Sequence, residues 1–209
     1  MMKLRHLGYV LLVALIAAVP RPAPAQDLAK EAGTFVQALG DQAIKIITDK
    51  GLNAADREKK FHAIFVESFD VPAIGRFVLG RYWRTASDAQ KSEFLKLFED
   101  MIVKTYNNRF TEYKGEQFVV TGSRADGDSA MVTTNVTRPG SGQPVKVDWR
   151  VLKPQGQLKI VDVVIEGVSM SVTQQQEFGS VIQRNGGQID SLLASMRERI
   201  QMQNQAARS

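Results

Sequence analysis

Gly115 divides this chain by period. Before it, apolar residues recur at helical spacing; after it they alternate every second residue, until Gly167 ends the alternation and helical spacing returns. Leu28, Ala32, Phe35, Val36, Leu39, Ala43, Ile46 and Ile47 make one helical stripe, closed by Gly51. Asn53 is placed to cap a second helix, and Asp70 followed by Pro72 to open a short third one ending near Gly80. Ser87-x-x-Gln90 is a capping-box pattern at the head of a long fourth helix with Phe94, Leu97, Phe98, Met101, Ile102 and Tyr106 on one face. The alternating block predicts strands over 117–123, 129–138, 145–153 and 159–166, punctuated by Asp126-Gly127, Pro139–Gly142 and Pro154-Gln155-Gly156. Phe178, Val181 and Ile182, then Ile189, Leu192, Leu193, Met196 and Ile200, predict two closing helices. The expected fold is α+β: helices over 27–114, a four-stranded antiparallel curved sheet over 117–166, and helices over 170–203 packed on one sheet face.

The first 25 residues are expected to be a cleaved secretory signal. Lys3, Arg5 and His6 precede the apolar run Leu7–Val19, and Ala23-Pro24-Ala25 supplies a small-x-small site. The run is shorter than the roughly 20 apolar residues that span a bilayer; an uncleaved anchor is the alternative. No cysteine follows it, which closes the lipoprotein route. Residues 26–209 then form a single exported domain. Removing Lys3, Arg5 and Arg21 takes the formal charge from +5 to +2, a small and scattered excess, so nucleic acid is not an expected partner.

The chain has no cysteine, which excludes disulfides, thiol catalysis and thiolate metal sites. Past the signal only His62 remains, too few imidazoles for a histidine-rich metal site. Within REKKFHAIF it reads as a surface or boundary residue. Lys59-Lys60 reads as a solvated helix face and Gln174–Gln176 as an uncharged exposed run suited to a partner surface. Trp83-Arg84 has two readings: a tryptophan plug at a helix junction, or a head-group contact.

VDVVIEG at 161–167 raises the question of a carboxylate pair. Val147, Trp149 and Val151 form one face of the third strand, and Val161, Val163 and Ile165 the matching face of the fourth. A one-residue slip would turn one set to water. Among the remaining registers, one sets Asp148 opposite Asp162, which repels. The other sets Arg150 opposite Asp162 and Lys146 opposite Glu166, each opposed pair contributing about 0.2–1 kcal/mol. The second is expected, which makes Asp162 and Glu166 solvent-side rungs of a charge ladder. Carboxylates with raised pKa need burial that such a face lacks. The other face, with Ala130, Val132 and Val136 added, is an apolar wall. Periodicity leaves open whether that wall is a filled core or lines a cavity.

Asp70, then Leu79–Ser87 (LGRYWRTAS), Gln90, Phe94, Phe98, Tyr106, Val147–Arg150 (VDWR), Val161–Ser169 (VDVVIEGVS) and Phe178 together resemble the MlaC family, periplasmic lipid carriers also called toluene-tolerance or Ttg2-type proteins. The resemblance covers nearly the whole chain past the signal. It implies a cone-like sheet of the nuclear-transport-factor type, with helices enclosing lipid tails in an apolar pocket. It further implies a periplasmic, monomeric shuttle between an inner-membrane ABC transporter complex and an outer-membrane lipoprotein complex. Where the common pattern runs towards Asn-Tyr-Arg, Thr173-Gln174-Gln175 stands here, and the segment to Gly187 resembles the branch associated with hopanoid biosynthesis. The implied ligand is therefore a phospholipid or a hopanoid-type lipid.

The pocket candidates are Phe77, Val78, Trp83, Phe98, Met101, Ile102 and Tyr106 on the helices, and Val132, Val147, Trp149, Val161, Val163 and Ile165 on the strands. Val168 and Met170 follow the sheet. No catalytic residue, metal or cofactor is implied. A lipid with about 30 chain methylenes, at ~0.8 kcal/mol each, would cost roughly 24 kcal/mol to expose, so tails must stay enclosed in transit. Two other functions remain open on sequence: an isomerase or hydratase on the same cone, marked by an inward carboxylate, and a chaperone-like interaction protein with a filled core.

Overall fold

The computed structural model describes residues 24–110, 112–140 and 142–206. The expected signal segment lies outside these residues except for its last two positions. The order is α1 (Pro24–Thr48), α2 (Ala54–Ser68), α3 (Val71–Leu79), a 3-10 turn (Gly80–Arg84), α4 (Asp88–Phe110), β1 (Gln117–Asp126), β2 (Ser129–Thr137), β3 (Val145–Leu152), β4 (Lys159–Ile165), β5 (Val168–Ser169), α5 (Met170–Arg184) and α6 (Ile189–Ala206). The strands form one antiparallel meander in chain order.

The helix starts follow the expected chemistry. Asn53 Oδ1 accepts the Asp56 amide at 2.9 Å and Asp70 Oδ1 the Ala73 amide at 3.0 Å. At α4 the capping box is reciprocal: Ser87 Oγ accepts the Gln90 amide at 3.2 Å and Gln90 Oε1 the Ser87 amide at 3.0 Å. Gly80 ends α3 at φ 57°, a left-handed conformation that suits glycine, and here a side chain would also meet Gln175 at 3.1 Å.

The sheet has five strands where four are expected. Glu166 (φ 48°) and Gly167 (φ 82°) form a two-residue hairpin loop with both φ positive, and Val168 and Ser169 fold back onto Ile165 and Val164. The β3–β4 register is the expected one over half its length, with Trp149 opposite Val163, Val147 opposite Ile165 and Arg150 opposite Asp162. It then shifts, so that Val151 faces Ile160 and Val161 becomes the extra residue of a β-bulge. The expected core position Val161 is thereby replaced by Ile160, which is fully buried, whereas Val161 is half-buried.

Two apolar clusters result. α1 lies across the sheet and buries Ala29, Ala32 and Val36 against Ala130, Val132, Val151 and Ile160. The other helices build a second core of Phe65, Val78, Phe94, Phe98, Met101, Phe178, Ile182, Leu193 and their neighbours. Half-buried Phe69 packs against both. At this joint Phe69 forms a parallel bridge to Ile160, the Asp70 amide donates to the Ile160 carbonyl at 3.0 Å, and Lys159 Nζ donates to the Val66 and Glu67 carbonyls at the end of α2. β4 is therefore the seam between the two layers.

Candidate functional site

The inner face of the sheet is built in rows across the strands. Ala130, Val151 and Ile160 make the first, Val132, Trp149 and Val163 the second, Thr134, Val147 and Ile165 the third, and Val136 and Val145 the fourth. Along the inner face of β3, Val151 is 0% exposed, Trp149 half-buried, Val147 7% exposed and Val145 44%, so burial ends at the Val145 end of the strand. A decline runs from Ile160 at 0%, through half-buried Val163 and Ile165, to Val168 at 54%. An apolar strip thus begins under α1 and emerges at the far end of the sheet. Its polar interruption, the fully buried Thr134, is satisfied: its hydroxyl donates to the Val147 carbonyl at 3.1 Å and accepts the Trp149 indole N–H at 2.9 Å. The Trp149 ring stands edge-on to Phe118, with centroids 6.0 Å apart.

The acids lie off this strip. Asp162 does face Arg150 across the strands, but the expected charge pairing gives way to other bonds. Asp162 Oδ1 accepts the Ser171 amide at 3.0 Å and the Val163 amide at 2.9 Å, and Oδ2 accepts the Ser169 hydroxyl at 2.6 Å. Arg150 Nη1 instead donates to Asp126 Oδ2 at 2.7 Å. Bonds to a charged acceptor contribute about 1.5–3 kcal/mol each and an exposed ion pair about 0–1, so the capping arrangement wins. Glu166 sits by Lys146 as expected, but through the backbone: the Lys146 amide donates to Glu166 Oε1, while the ammonium pairs with Asp148 at 3.1 Å. Burial raises the Asp148 pKa, but the Thr133 hydroxyl and then Lys146 outweigh it and hold the carboxyl below its ordinary value.

The expected pocket residues divide between the layers. Val132 belongs to the α1–sheet core, with Trp149 and Val163 packed at its margin. Val78, Phe98 and Met101 belong to the helical core, with Trp83 and Ile102 half-buried against it. Trp83 therefore plugs a helix junction, and Lys91 Nζ lies 5.9 Å from its ring centroid. Ile165 and Met170 are half-buried, whereas Phe77 and Tyr106 are 47% and 38% exposed. Sequence reasoning missed Phe69 and Ile160, which join the layers, and Val145 at the rim. Val145 carries a legible signal, since it continues the alternation of Val147 and Trp149.

α5 closes over the seam. Asp162 and Ser169 set its first turn, and Gln175 Nε2 donates to the Phe77 carbonyl on α3. Exposed Val168 pairs with Ile165 just before α5, exposed Val172 lies in the first turn of α5, and Gln175 one turn on reaches α3, so α5 links the emergent end of the strip to Phe77.

Two open clefts lie elsewhere. One of about 640 Å³ lies between α1 and β1, lined by Lys30, Thr34, Ser123 and Arg124; one of about 400 Å³ lies between α2 and α4, lined by Glu58, His62, Asp100 and Lys104. Neither is lined by an expected pocket residue. His62 bonds Glu99 at 2.5 Å and lacks an adjacent hydroxyl or thiol nucleophile in its cleft. Among the described residues no group of three or more His, Asp or Glu is placed to hold a metal ion, and no helix is long and apolar enough to cross a membrane.

A meander sheet with an emergent apolar strip, seamed along β4 to a helical layer, defines an α+β domain. A family model described as MlaC protein matches residues 37–198, and the chain belongs to the MlaC family. It is similar to the intermembrane phospholipid transport system binding protein MlaC of Haemophilus influenzae, 26% identical over 128 residues covering 59% of each chain. It is also similar to the toluene tolerance protein ttg2D of Pseudomonas putida, 26% identical over 128 residues covering 61% of this chain and 59% of the relative. These matches span less than two thirds of either relative. The fold matches that of a phospholipid-binding protein from Ralstonia solanacearum, solved in complex with a phospholipid. The TM-score is 0.73 at 24% identity, over 83% of this chain and 98% of the other.

Proposed function

We propose that this chain is a lipid carrier, without enzymatic activity, that holds lipid tails along the β3–β4 strip and moves lipid between membranes. The observation that carries the reading is the strip itself. Val147, Trp149, Val163 and Ile165 lead from a closed core to an exposed apolar rim at Val145, Val168 and Val172. A filled core ends under polar cover, whereas tails need a path from water to an apolar interior. Entry between the layers would part the α1–sheet cluster from the helical cluster at their shared residue, Phe69, and bring Val78, Met101 and Ile102 against the tails.

Family membership and the names of the relatives support phospholipid as the cargo, and a hopanoid-type lipid fits the same apolar strip. Residues 1–25 act as an export signal and the mature chain works in the periplasm as a monomer. It receives and delivers lipid at an inner-membrane ABC transporter complex and an outer-membrane lipoprotein complex. No nucleotide, metal or cofactor takes part. The isomerase or hydratase reading requires a carboxylate on the inner face, and the four rows of the described sheet contain none.

Ile165→Asp tests the reading. A charge on the strip should abolish uptake of fluorescent phospholipid from vesicles while the lipid-free protein still unfolds cooperatively. Uptake at the wild-type level would contradict it.

A further inference from the structure

The segment Val71–Ser87 contains Arg76, Arg81 and Arg84 and no acidic residue. All three arginines are exposed, and none forms an ion pair among the described residues. Arg81 is held at the surface by its neighbour, Nη2 donating to the Tyr82 hydroxyl at 2.9 Å and Cζ lying 4.9 Å from that ring's centroid. The acids that bound this segment in sequence are engaged elsewhere: Asp70 caps α3 through the Ala73 amide and Asp88 pairs with Lys91. Arg76 and Phe77 are adjacent and exposed on α3, and beyond Gly80 the turn exposes Arg81 and Arg84, so one short segment presents three guanidiniums and an aromatic ring to water. The same Phe77 is tied through its carbonyl to Gln175 on α5, one turn from Val172 at the rim of the strip.

We propose that the face carrying Arg76, Phe77, Arg81 and Arg84 docks on the surface of an anionic phospholipid bilayer and sets the mouth of the strip against it. The proposal rests on the carrier reading, because the strip is what the docking would serve. Charge complementarity selects the occupant. Three guanidiniums without a carboxylate partner, in one segment with exposed Phe77, match a layer of phosphates over an apolar interface, where arginine forks phosphate oxygens and an aromatic side chain settles at head-group depth. Three charges give reversible attachment that salt weakens, which suits a carrier that must leave again.

The test is flotation of the purified protein with vesicles of phosphatidylcholine alone and of phosphatidylcholine mixed with phosphatidylglycerol. We expect binding to the mixed vesicles only, declining as salt is added. Each arginine near an anionic surface accounts for about fivefold in partitioning, so R76Q/R81Q/R84Q should lose roughly 100-fold. The corresponding lysine variant should retain most of the binding, and Lys59→Gln with Lys60→Gln, on the exposed face of α2, should change nothing. If the triple variant melts early, R76Q/R84Q leaves the Arg81–Tyr82 pair intact and should still lose roughly 25-fold. Equal flotation on both vesicle types, no flotation of the wild type, or wild-type flotation of a folded glutamine variant would overturn the proposal. Lipid extracted from the same preparations separates the two readings: docking without co-purified lipid counts against the carrier alone, and lipid content without docking counts against this face alone.

Discussion

Asp162 Oδ2 accepts the Ser169 hydroxyl at 2.6 Å, and through that bond the fourth strand fixes where α5 begins. Ser169 in turn accepts the Val172 amide at 3.1 Å, and Asp162 Oδ1 takes the Ser171 amide. One carboxylate thus serves donors that would otherwise be orphaned in the first turn. Asp162→Ala should cost about 2–3 kcal/mol and Ser169→Ala about 1, with the double variant costing less than the sum because the two share a bond. Chemical denaturation of the delipidated proteins measures this. A cost for Asp162→Ala within the ~0.5 kcal/mol of an ordinary surface change would contradict the role.

Asp148 gives a pH signature. Its native pKa lies below the unfolded value of about 3.9, so the unfolded chain binds the proton more readily. The stability it contributes is present above about pH 4 and is lost as pH falls through the lower native pKa. Glu116 acts in the same window, held low by the Lys114 amide first and also by Arg138. Asp148→Asn should cost about 1–2 kcal/mol at neutral pH, and its unfolding curve should converge on that of the wild type in acid. A difference that persists undiminished at pH 2 would contradict the assignment.

Gly40 seats Phe118. A β-carbon there would come within 2.4 Å of the ring, which itself stands against Trp149. Gly40→Ala gains about 1 kcal/mol of helix propensity and incurs about 1–3 in overpacking, so a net loss is expected. Adding Phe118→Leu should recover most of it, and thermal melts of the three variants decide. A stabilised Gly40→Ala would show that α1 rides more loosely on the sheet.

The caps of α2, α3 and α4 were legible because each is a local bond between residues three apart, as at Asn53 and Asp56. The stripe of α1 and the β3–β4 register up to Asp162 were legible from period and charge. The bulge was not: Ile160, Val161, Val163, Val164 and Ile165 are all β-branched and apolar, so nothing in the residue types marks which is extra. The hairpin at Glu166-Gly167 has a glycine signal, but a glutamate at positive φ is rare and two paired residues are too few to read as a strand. The fate of Asp162 followed from that hairpin, since only the return of the chain brings Ser169 and Ser171 beside it. The division of the apolar wall between two clusters depends on where α1 crosses the sheet, and periodicity says nothing of crossing.

Val163 separates strip from core. It is half-buried opposite Trp149, on the part of β4 where burial declines. In a close-packed interior Val163→Trp would cost about 1–3 kcal/mol or more. On a strip that receives tails, the indole occupies their place. The delipidated variant should unfold near the delipidated wild-type midpoint and take up far less lipid. Delipidated protein is needed because bound lipid itself raises the midpoint by mass action. Strong destabilisation would assign Val163 to the core, and unchanged uptake would move the tails elsewhere.

The central claim is that the chain carries lipid, and native mass spectrometry with lipid extraction of protein purified from its own cell envelope tests it most directly. The expected result is a population whose added mass matches a phospholipid or hopanoid-type lipid, recovered again on extraction and diminished in Ile165→Asp. Repeated preparations free of lipid, from protein that also takes up none from vesicles, would contradict it.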